Sequence, residues 1–460
     1  MKIKSKLFLL LLILTVLFST SACSLTKGGD SAAVAAYKPV KLVYWSVWNN
    51  EAVMRDIIAA YKKARPNVTI EYRNLRYDEY EQAILEADAQ GRGPDVFSIH
   101  NTWMQKYAPR LLSAPATYQI PIKTMQGTLK KEEVVIFQSN KGITPYQVDQ
   151  KFLQQVKSDA VVDNKVYGLP MSLDTLVLFC NRDLMRNAGI TEPPKDWLEF
   201  EEQVKKITKI DANTGKILVS GTAMGTSNNI PRSFDILSLL MMQNSTQMLN
   251  SKGQAYFDSM PENLKLTVVP GRGALDFYTQ FSSPLYQGYS WNTQMPDALE
   301  AFKDGKVAYF FGYSYNRDNI KLTAPKLNFI IAPAPQVNDD KKVNYASYWL
   351  EVVSNKTKNK DYAWDFVQFM TSEANVEAYL NKAVKPTALN STKLINKQLD
   401  NPDLAVFAEQ LFTAKSWYNG KNSSAAEAAF AQMITDVLAG NLDAEKALKQ
   451  AADKVDRSIK

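Results

Sequence analysis

The chain has 460 residues, a formal net charge of +7, one histidine and two cysteines. Its basic residues are spread along the chain without blocks, a pattern that argues against nucleic acid as a partner. Because His100 is the only histidine, multi-histidine metal sites and most Ser/His/Asp catalytic arrangements are disfavoured. Two cysteines cannot build a disulfide framework. We therefore expect no metal, no cofactor and no catalytic residue.

The N-terminus has the pattern of a secretory signal. Three lysines among the first six residues precede an apolar run at residues 7–18, which is too short for a comfortable membrane span of about 20 residues. Residues 20–23, Thr-Ser-Ala-Cys, resemble a lipobox in which threonine stands where leucine is usual. We expect residues 1–22 to be a lipoprotein signal peptide and Cys23 to carry the lipid. The alternative is ordinary signal-peptidase cleavage, which leaves Cys23 free.

Residues 23–40 lack both helical and strand periodicity, so we expect a flexible tether there. The roughly 420 residues that follow exceed what one hydrophobic core usually organises, which predicts two domains. Cys180 stands in an apolar run at residues 176–180, and we expect it to be buried as a small hydrophobic side chain.

Strand and helix patterns alternate at the start of the folded part. Residues 41–45 form a β-rich run, residues 51–64 place apolar side chains on one helical face, and residues 68–72 are again strand-like. A second helix is predicted over residues 77–90 and a third strand over residues 94–99. This alternation predicts an α/β fold with a parallel sheet, and such sheets bind ligands beyond the carboxyl ends of their strands.

A second α/β block begins near Tyr167. Asp196, with Glu199 three residues later, predicts the start of a helix whose apolar face includes Trp197 and Phe200. A helix and two strands follow at residues 297–304, 307–311 and 328–332. The C-terminal third is predicted to be helical, including residues 361–370, 425–438 and 443–459.

Aromatic residues fall close to the predicted strand ends and connections. The apolar C–H face of a sugar ring stacks well on aromatic rings, and amide, carboxylate and guanidinium groups can bind its hydroxyls. Each ring has the alternative of packing in a core or between domains. The residues that we expect to contact a ligand are the aromatic Trp48, Tyr77, Trp103, Trp291, Tyr313, Tyr315 and Trp349 and the polar Asn49, Arg76, Asn101 and Asp174.

Several segments, in chain order, resemble family 1 extracellular solute-binding proteins, the maltose-binding-protein-like components of bacterial ABC importers. The segments are Gly-Pro-Asp-Val at 93–96, Tyr-Gly-Leu-Pro-Met at 167–171, Leu-Phe-Cys-Asn-Arg-Asp-Leu at 178–184, Pro-Pro-Lys-Asp-Trp at 193–197, Gly-Lys-Val-Ala at 305–308 and Asn-Phe to Ala-Pro-Ala-Pro at 328–335. The chain departs from the family at residues 345–349, where a glycine-rich turn is frequent, and at residues 312–315, where Gly-Tyr-Ser-Tyr replaces Gly-x-Trp.

The resemblance implies a type II periplasmic-binding fold, in which two α/β lobes close around a ligand by a hinge motion. It places lobe one at 41–169 and 333–385, lobe two at 170–332 and 386–460, and hinge strands near 168–175 and 328–332. It further implies a monomeric, non-catalytic lipoprotein at the outer face of the cell membrane. Such a protein binds a small solute, by our interpretation a sugar, and delivers it to the permease subunits of an ABC transporter.

Two alternatives remain at this point. One is a binding protein for another solute, such as a peptide, a polyamine or a glycerophosphate ester. The other is a secreted carbohydrate-active enzyme, a glycoside hydrolase or lyase, which would need two carboxylates on opposite sides of a sugar bond.

Overall fold

The computed structural model describes residues 30–49 and 51–460. The predicted signal peptide at residues 1–22, the predicted lipidation site Cys23 and the first part of the predicted tether lie outside the described residues. In the part of the chain that is described, no helix combines the length and the apolar character needed to cross a membrane.

The strands of the described chain are numbered in chain order. They are β1 (Val40–Ser46), β2 (Val68–Asn74), β3 (Val96–His100), β4 (Thr117–Gln126), β5 (Glu132–Lys141), β6 (Val161–Val162), β7 (Lys165–Val166), β8 (Gly168–Leu169), β9 (Asp174–Thr175), β10 (Val177–Asn181), β11 (Lys209–Ile210), β12 (Ile217–Thr222), β13 (Val307–Gly312), β14 (Phe329–Ala332), β15 (Asn344–Ser347), β16 (Trp349–Val353) and β17 (Ala414–Lys415).

The helices of the described chain connect some of the strands and make up most of the C-terminal part. They are Ser31–Ala36, Glu51–Ala64, Tyr77–Ala89, Met104–Tyr107, Pro145–Lys151, Gln154–Ala160, Arg182–Asn187, Trp197–Ile207, Ser233–Gln243, Pro270–Gln280, Ala298–Lys303, Ser314–Thr323, Lys360–Met370, Glu373–Ala383, Thr392–Leu399, Ala405–Gln410, Ser423–Leu438 and Ala444–Ile459.

The first five-stranded sheet has the order β2-β1-β3-β16-β8. Strands β1, β2 and β3 run parallel, and the helices Glu51–Ala64 and Tyr77–Ala89 connect them, which confirms the predicted alternation. Strand β16 returns from much later in the chain and pairs antiparallel with both β3 and β8. The sheet is therefore mixed, and its antiparallel half could not be inferred from local pattern.

The second five-stranded sheet has the order β11-β12-β13-β10-β14. Only β12 and β13 run parallel in it, and the other neighbours are antiparallel. The helix predicted after Asp196 is present, because one oxygen of this side chain accepts hydrogen bonds from the backbone N–H groups of Leu198 and Glu199 at 2.9 and 2.8 Å. Cys180 lies in β10 and is fully buried, as predicted.

The buried apolar side chains form two clusters, which we call the first core and the second core. The first core draws on residues 42–173 and 346–414, and the second core draws on residues 176–345 and 404–455. Each core contains one five-stranded sheet, and we call each core with its sheet and helices a lobe. A three-stranded sheet, β17-β15-β9, lies where the chain passes from one lobe to the other.

One of the two expected hinge segments, 168–175, contains β9 of the crossing sheet, and the other, 328–332, contains no crossing strand. Strand β14 was expected to be a hinge strand, but it pairs with β10 inside the second lobe, and the return crossing lies at β15. The cores also depart from the expected lobe boundaries: Met171 and Leu389 lie in the first core, and Ala334 lies in the second core. The division of the chain at residues 169, 332 and 385 stays a prediction from the resemblance.

Part of the segment expected to be a tether is ordered. The helix Ser31–Ala36 begins after Asp30, whose side chain accepts a hydrogen bond from the backbone N–H of Ala32 at 3.0 Å. The backbone N–H of Asp30 bonds to the carbonyl of Val135 in β5, and Ala33 is fully buried. Six residues are too few for a readable helical period, and packing against the hairpin of β4 and β5 stabilises the helix.

Candidate binding cleft

Side chains of the two lobes meet between the cores. On the first lobe they follow the carboxyl ends of β1 and β3, and on the second lobe they stand at the starts of the helices Ser233–Gln243 and Ser314–Thr323. This is the edge of a sheet where ligands bind in α/β folds. We call the space between these side chains the cleft.

Four aromatic rings cross the cleft in a row, which we call the aromatic ladder. Trp48 of the first lobe stacks on Tyr77, with ring centres 5.6 Å apart and planes inclined by 27°. On its other side Trp48 stacks on Tyr315 of the second lobe at 5.2 Å and 16°. Tyr315 in turn stacks on Tyr313 at 6.0 Å and 21°. The structure therefore brings together four of the predicted ligand contacts.

The two middle rings of the ladder are partly open to water. Trp48 is 45% exposed and Tyr315 is 37% exposed, although both are large apolar side chains. Trp48 also has a backbone φ of +66°, which a bulky residue rarely adopts. Strained backbone of this kind occurs at functional sites, where the surrounding structure holds a side chain in place. Here it directs the indole away from the first core.

A second group of rings borders the ladder in the first lobe. Trp349 of β16 meets Tyr77 edge-on, with ring centres 6.2 Å apart, and meets Trp103 at 5.4 Å and 75°. His100 lies 5.5 Å from Trp349 and makes hydrogen bonds to the hydroxyls of Thr102 and Ser347. Burial and then the charge of Arg232 lower the pKa of His100 to about 3, so the imidazole is neutral.

An arginine and an aspartate stand behind the second-lobe end of the ladder. Arg232 Nε donates to Asp235 Oδ2 at 2.7 Å, and the Tyr313 hydroxyl donates to the same oxygen at 2.6 Å. The Arg232 guanidinium also lies 5.9 Å from the centre of the Tyr313 ring, within reach of a cation–π interaction. Asp235 is 1% exposed, and its second oxygen, Oδ1, is buried without a hydrogen-bond partner. That oxygen is an acceptor without a partner, and it is closed off from solvent.

Asp174 ties the crossing strand β9 to the second lobe. Its carboxylate accepts hydrogen bonds from the backbone N–H and the hydroxyl of Ser314, at 3.0 and 2.6 Å. Burial raises the pKa of Asp174 to about 6, while Ser314 and Lys385 lower it. Because Ser314 begins a helix, the carboxylate also meets the positive end of the helix dipole. Asp174 thus positions the helix that carries Tyr315.

Two predicted amides have partners within the protein. Asn49 Oδ1 accepts a hydrogen bond from the Tyr379 hydroxyl at 2.7 Å. Asn101 Nδ2 donates to Asp159 Oδ2 at 3.0 Å, and both asparagines are buried. These bonds fix the segments after β1 and β3, which carry the exposed Trp48 and Trp103, a ring buried in the first core.

Of two other predicted contacts, one lies in the second core, which corrects the expectation, and the other pairs with a neighbouring residue at the surface. Trp291 is fully buried in the second core, and its Nε1 donates to Asn229 Oδ1 at 3.0 Å, so the ring has no free face and no free polar atom. The Arg76 side chain is exposed at the start of the helix Tyr77–Ala89 and pairs with Asp78 at 2.7 Å. Both residues were expected to contact a ligand because they stand in predicted connections between elements. The position of a residue in a connection does not determine the direction of its side chain.

Sequence reasoning missed Arg232 and Asp235. An arginine and an aspartate three residues apart are common at exposed helix starts, where they contribute little. Only the packing of distant helices shows that this helix start faces the cleft. In the described ranges, 30–49 and 51–460, no group of three His, Cys, Asp or Glu side chains could hold a metal ion.

The chain has two α/β lobes that are joined by crossing strands, and aromatic side chains of both lobes meet between them. This arrangement is typical of two-lobed proteins that close around a small solute. A family model described as bacterial extracellular solute-binding protein matches residues 47–377, and the chain belongs to this family. It therefore acts outside the cytoplasm.

Known proteins agree with this assignment along nearly the whole chain. A binding protein of Brucella abortus is 21% identical over 417 residues, covering 88% of this chain and 89% of the relative. The galactooligosaccharide-binding protein of Bacillus subtilis is 21% identical over 462 residues, covering 100% of this chain and 99% of the relative. The solved structure of a cyclic alpha-maltosyl-1,6-maltose binding protein from Arthrobacter globiformis has a TM-score of 0.71 at 17% identity, covering 92% of this chain and 99% of that one. The predicted type II fold is confirmed.

Proposed function

We propose that the protein binds a sugar or an oligosaccharide in the cleft and delivers it to the permease of an ABC importer. The observation that carries this proposal is the stacked pair of exposed rings, Trp48 and Tyr315, one from each lobe. A sugar ring has apolar faces that pack on such rings and hydroxyls that need polar partners at the edge. A pair built from both lobes also couples ligand binding to the relative position of the lobes.

One oxygen behind the ladder is an acceptor without a partner. Asp235 Oδ1 accepts no hydrogen bond within the described protein, so a ligand hydroxyl that reaches it when the cleft opens finds an acceptor there. The two named relatives, which bind a galactooligosaccharide and a cyclic maltosyl-maltose, support a saccharide as the ligand. A peptide, a polyamine and a glycerophosphate ester are the competing solutes.

The proposal includes attachment to the membrane. The signal pattern and Cys23 support a lipid anchor at the outer face of the cell membrane, and the first described residues extend directly onto the first lobe through Asp30 and Val135. We further propose that the protein works as a monomer, because each chain supplies both walls of the cleft.

The proposal also holds that the bound saccharide leaves unchanged. A glycoside hydrolase needs one carboxyl group as proton donor and a second as nucleophile or base. The carboxylate nearest the ladder, Asp235, is instead held in an ion pair with Arg232 and a hydrogen bond from Tyr313. These two contacts orient the carboxyl group toward partners within the protein, which favours binding over catalysis.

A thermal-shift screen tests the proposal with malto-, galacto-, cello- and chito-oligosaccharides, and with a peptide mixture, spermidine and glycerophosphocholine as competing solutes. A ligand at 100 times its dissociation constant adds about 2.7 kcal/mol to stability and raises the melting temperature accordingly. We expect at least one saccharide to do so and to be recovered intact by chromatography after long incubation. Stabilisation by one of the competing solutes alone, or recovery of cleaved sugar, contradicts the proposal.

A further inference from the structure

The hairpin of β4 and β5 extends from the first lobe as a separate two-stranded sheet. Its base packs on the helix Lys360–Met370, where the Tyr118 hydroxyl accepts a hydrogen bond from Gln368 Nε2 at 2.8 Å. Each strand has ten residues, or about 33 Å. From residue 123 to residue 133, every residue except Thr124 is exposed. We call residues 123–133 the hairpin tip, and it stands clear of the first core.

Two large apolar side chains stand on the hairpin tip. Leu129 is fully exposed, and Met125 is 57% exposed. The turn that carries Leu129 begins at Gly127, which has a φ of +115° and where a side chain would collide with the carbonyl oxygen of Lys130. Single exposed apolar side chains are common on protein surfaces, so the role of these two depends on what lies near them.

The N-terminal end of the described chain is fixed to the same hairpin. The backbone N–H of Asp30 donates to the carbonyl of Val135 at 3.2 Å, and the helix Ser31–Ala36 packs on both strands. Cys23 precedes Asp30 by seven residues, and seven residues span at most about 25 Å. Val135 follows the first residue of β5 by three positions, or about 10 Å. A lipid on Cys23 therefore holds this part of the hairpin near the membrane, with the tip within reach of the lipid surface.

The charges of the hairpin tip leave a positive excess. Lys123 pairs with Glu133 at 2.6 Å, and Lys130 pairs with Glu132 at 3.4 Å. Within residues 30–49 and 51–460, Lys131 forms no ion pair. The tip thus combines one net positive charge with two exposed apolar side chains. An anionic lipid surface matches this combination, because apolar side chains enter the interface while lysine ammonium groups stay beside the lipid phosphates.

We propose that the hairpin tip is a second attachment to the membrane, at which Leu129 and Met125 enter the lipid interface and Lys131 binds lipid phosphate. Two apolar side chains and one net charge are too few to hold a free protein at a membrane. Beside a lipid-anchored Cys23 the same contact becomes intramolecular, and its high effective concentration makes it sufficient. The second attachment restrains how the first lobe turns about the anchor. This inference rests on the proposed lipid anchor and adds the surface that faces the membrane.

The test places a solvent-sensitive fluorophore beside the exposed leucine. The full-length lipoprotein is labelled at Thr128→Cys, next to Leu129, and reconstituted in vesicles of phosphatidylcholine with about 30% phosphatidylglycerol, an anionic lipid. The control label is at Gln287→Cys in the second lobe, close to Leu285, which is also almost fully exposed. Cys180 is buried and does not take the label.

The reference for each label is the unanchored Cys23→Ala protein mixed with the same vesicles. We expect the emission of the label at residue 128 to shift to the blue and to gain about threefold in intensity in the anchored protein, because the label enters the interface. The label at residue 287 should not change. Adding Leu129→Asp to the Thr128→Cys protein should remove the gain, and about 0.5 M salt should reduce it, since salt screens the lysines.

An unchanged spectrum at residue 128 in the vesicles, or a gain that persists with Leu129→Asp, overturns the inference. A gain that appears only in native membranes, and not in vesicles without other proteins, also overturns it, because the hairpin tip then contacts a protein. Recovery of the full-length protein in the soluble fraction contradicts the proposed anchor itself and removes the inference with it.

Discussion

The indole of Trp48 lies nearly flat on the phenol ring of Tyr315, with ring centres 5.2 Å apart, although the two residues belong to different lobes. This spacing is direct ring-to-ring contact. A sugar ring cannot fit between the two rings at that distance, so a ligand held between them has to replace the contact and move the lobes apart. A ligand that packs on the exposed edges of the two rings leaves the contact in place, because Tyr77 and Tyr313 stack on their other faces.

The first prediction concerns the two partly exposed rings in the middle of the ladder. Replacement of Trp48 or Tyr315 by Ala should weaken saccharide binding about thirtyfold, or roughly 2 kcal/mol, because stacked aromatic side chains carry a large share of binding energy. Both side chains are partly exposed, so the free energy of unfolding should change by less than about 1 kcal/mol. Calorimetric titration and urea unfolding of the same preparations measure the two quantities.

Trp291→Ala is the control for that prediction. This tryptophan is fully buried in the second core and hydrogen-bonded to Asn229, so its removal should cost about 3–5 kcal/mol of stability. The affinity of the fraction that stays folded should not change. If Trp48→Ala loses stability as Trp291→Ala does, and loses no affinity of its own, the ladder packs the lobes together and is not the binding surface.

The strand and helix order of the chain could be predicted because local patterns are strong there. The helix Glu51–Ala64 has the expected bounds, and Asp196 caps its helix as expected, since apolar period and capping chemistry depend on neighbouring residues alone. The return of β16 to the first sheet and the crossing at β15 depend on contacts between residues far apart in the chain. No local pattern encodes those contacts.

The site could be predicted only in part, for the same reason. Trp48, Tyr77, Tyr313 and Tyr315 were expected near strand ends and do meet in the structure. Trp291 met the same criterion and lies in a core. A strand end fixes where a residue sits along the chain, but the direction of its side chain depends on the packing of the whole lobe.

The second prediction concerns the bond from Tyr313 to Asp235. Tyr313→Phe keeps the ring in the ladder and removes a hydroxyl that donates to a buried carboxylate at 2.6 Å. Hydrogen bonds to charged groups contribute about 1.5–3 kcal/mol, and we expect a loss of stability in that range. Urea unfolding of the purified variant measures it.

Tyr278→Phe is the matched control for Tyr313→Phe. The Tyr278 hydroxyl is also buried, but it donates to the neutral carbonyl of Thr226, at 2.7 Å. Its removal should cost about 0.5–1.5 kcal/mol, less than that of the Tyr313 hydroxyl. Equal losses of stability in the two variants would mean that the hydrogen bond to Asp235 contributes no more than a bond to a neutral carbonyl.

The third prediction concerns pH. Glu351 in β16 is buried and accepts a hydrogen bond from the Ser98 hydroxyl at 2.8 Å, and burial raises its pKa from 4.5 to about 7. Between these two pH values the folded chain binds more protons than the unfolded chain, so the contribution of Glu351 to stability falls as pH rises. The expected loss is about 3 kcal/mol over that window, at about 1.4 kcal/mol per pH unit.

Glu351→Gln should remove this dependence, because glutamine does not ionise and can still accept the bond from Ser98. The difference in unfolding free energy between variant and wild type should be small at pH 5 and should favour the variant at pH 8. Burial also raises the pKa values of Asp159 and Asp174 to about 6. Their effect on the unfolding free energy is the same in variant and wild type, so it cancels in the difference. If the difference in unfolding free energy between variant and wild type is constant from pH 5 to pH 8, Glu351 has the same pKa in the folded and the unfolded chain, and the prediction is wrong.

The last prediction concerns Cys23 and the lipid anchor. If Cys23 carries the lipid, Cys23→Ala should move the protein from the membrane fraction to the soluble fraction without a change in ligand affinity. A lipoprotein cysteine carries more than one acyl chain, and two chains hold a protein at a membrane far better than the marginal binding of one. Cys180→Ala is the control, since this thiol is buried in β10 and has no access to lipid. Membrane retention of Cys23→Ala at the level of Cys180→Ala would show that something other than Cys23 holds the protein there.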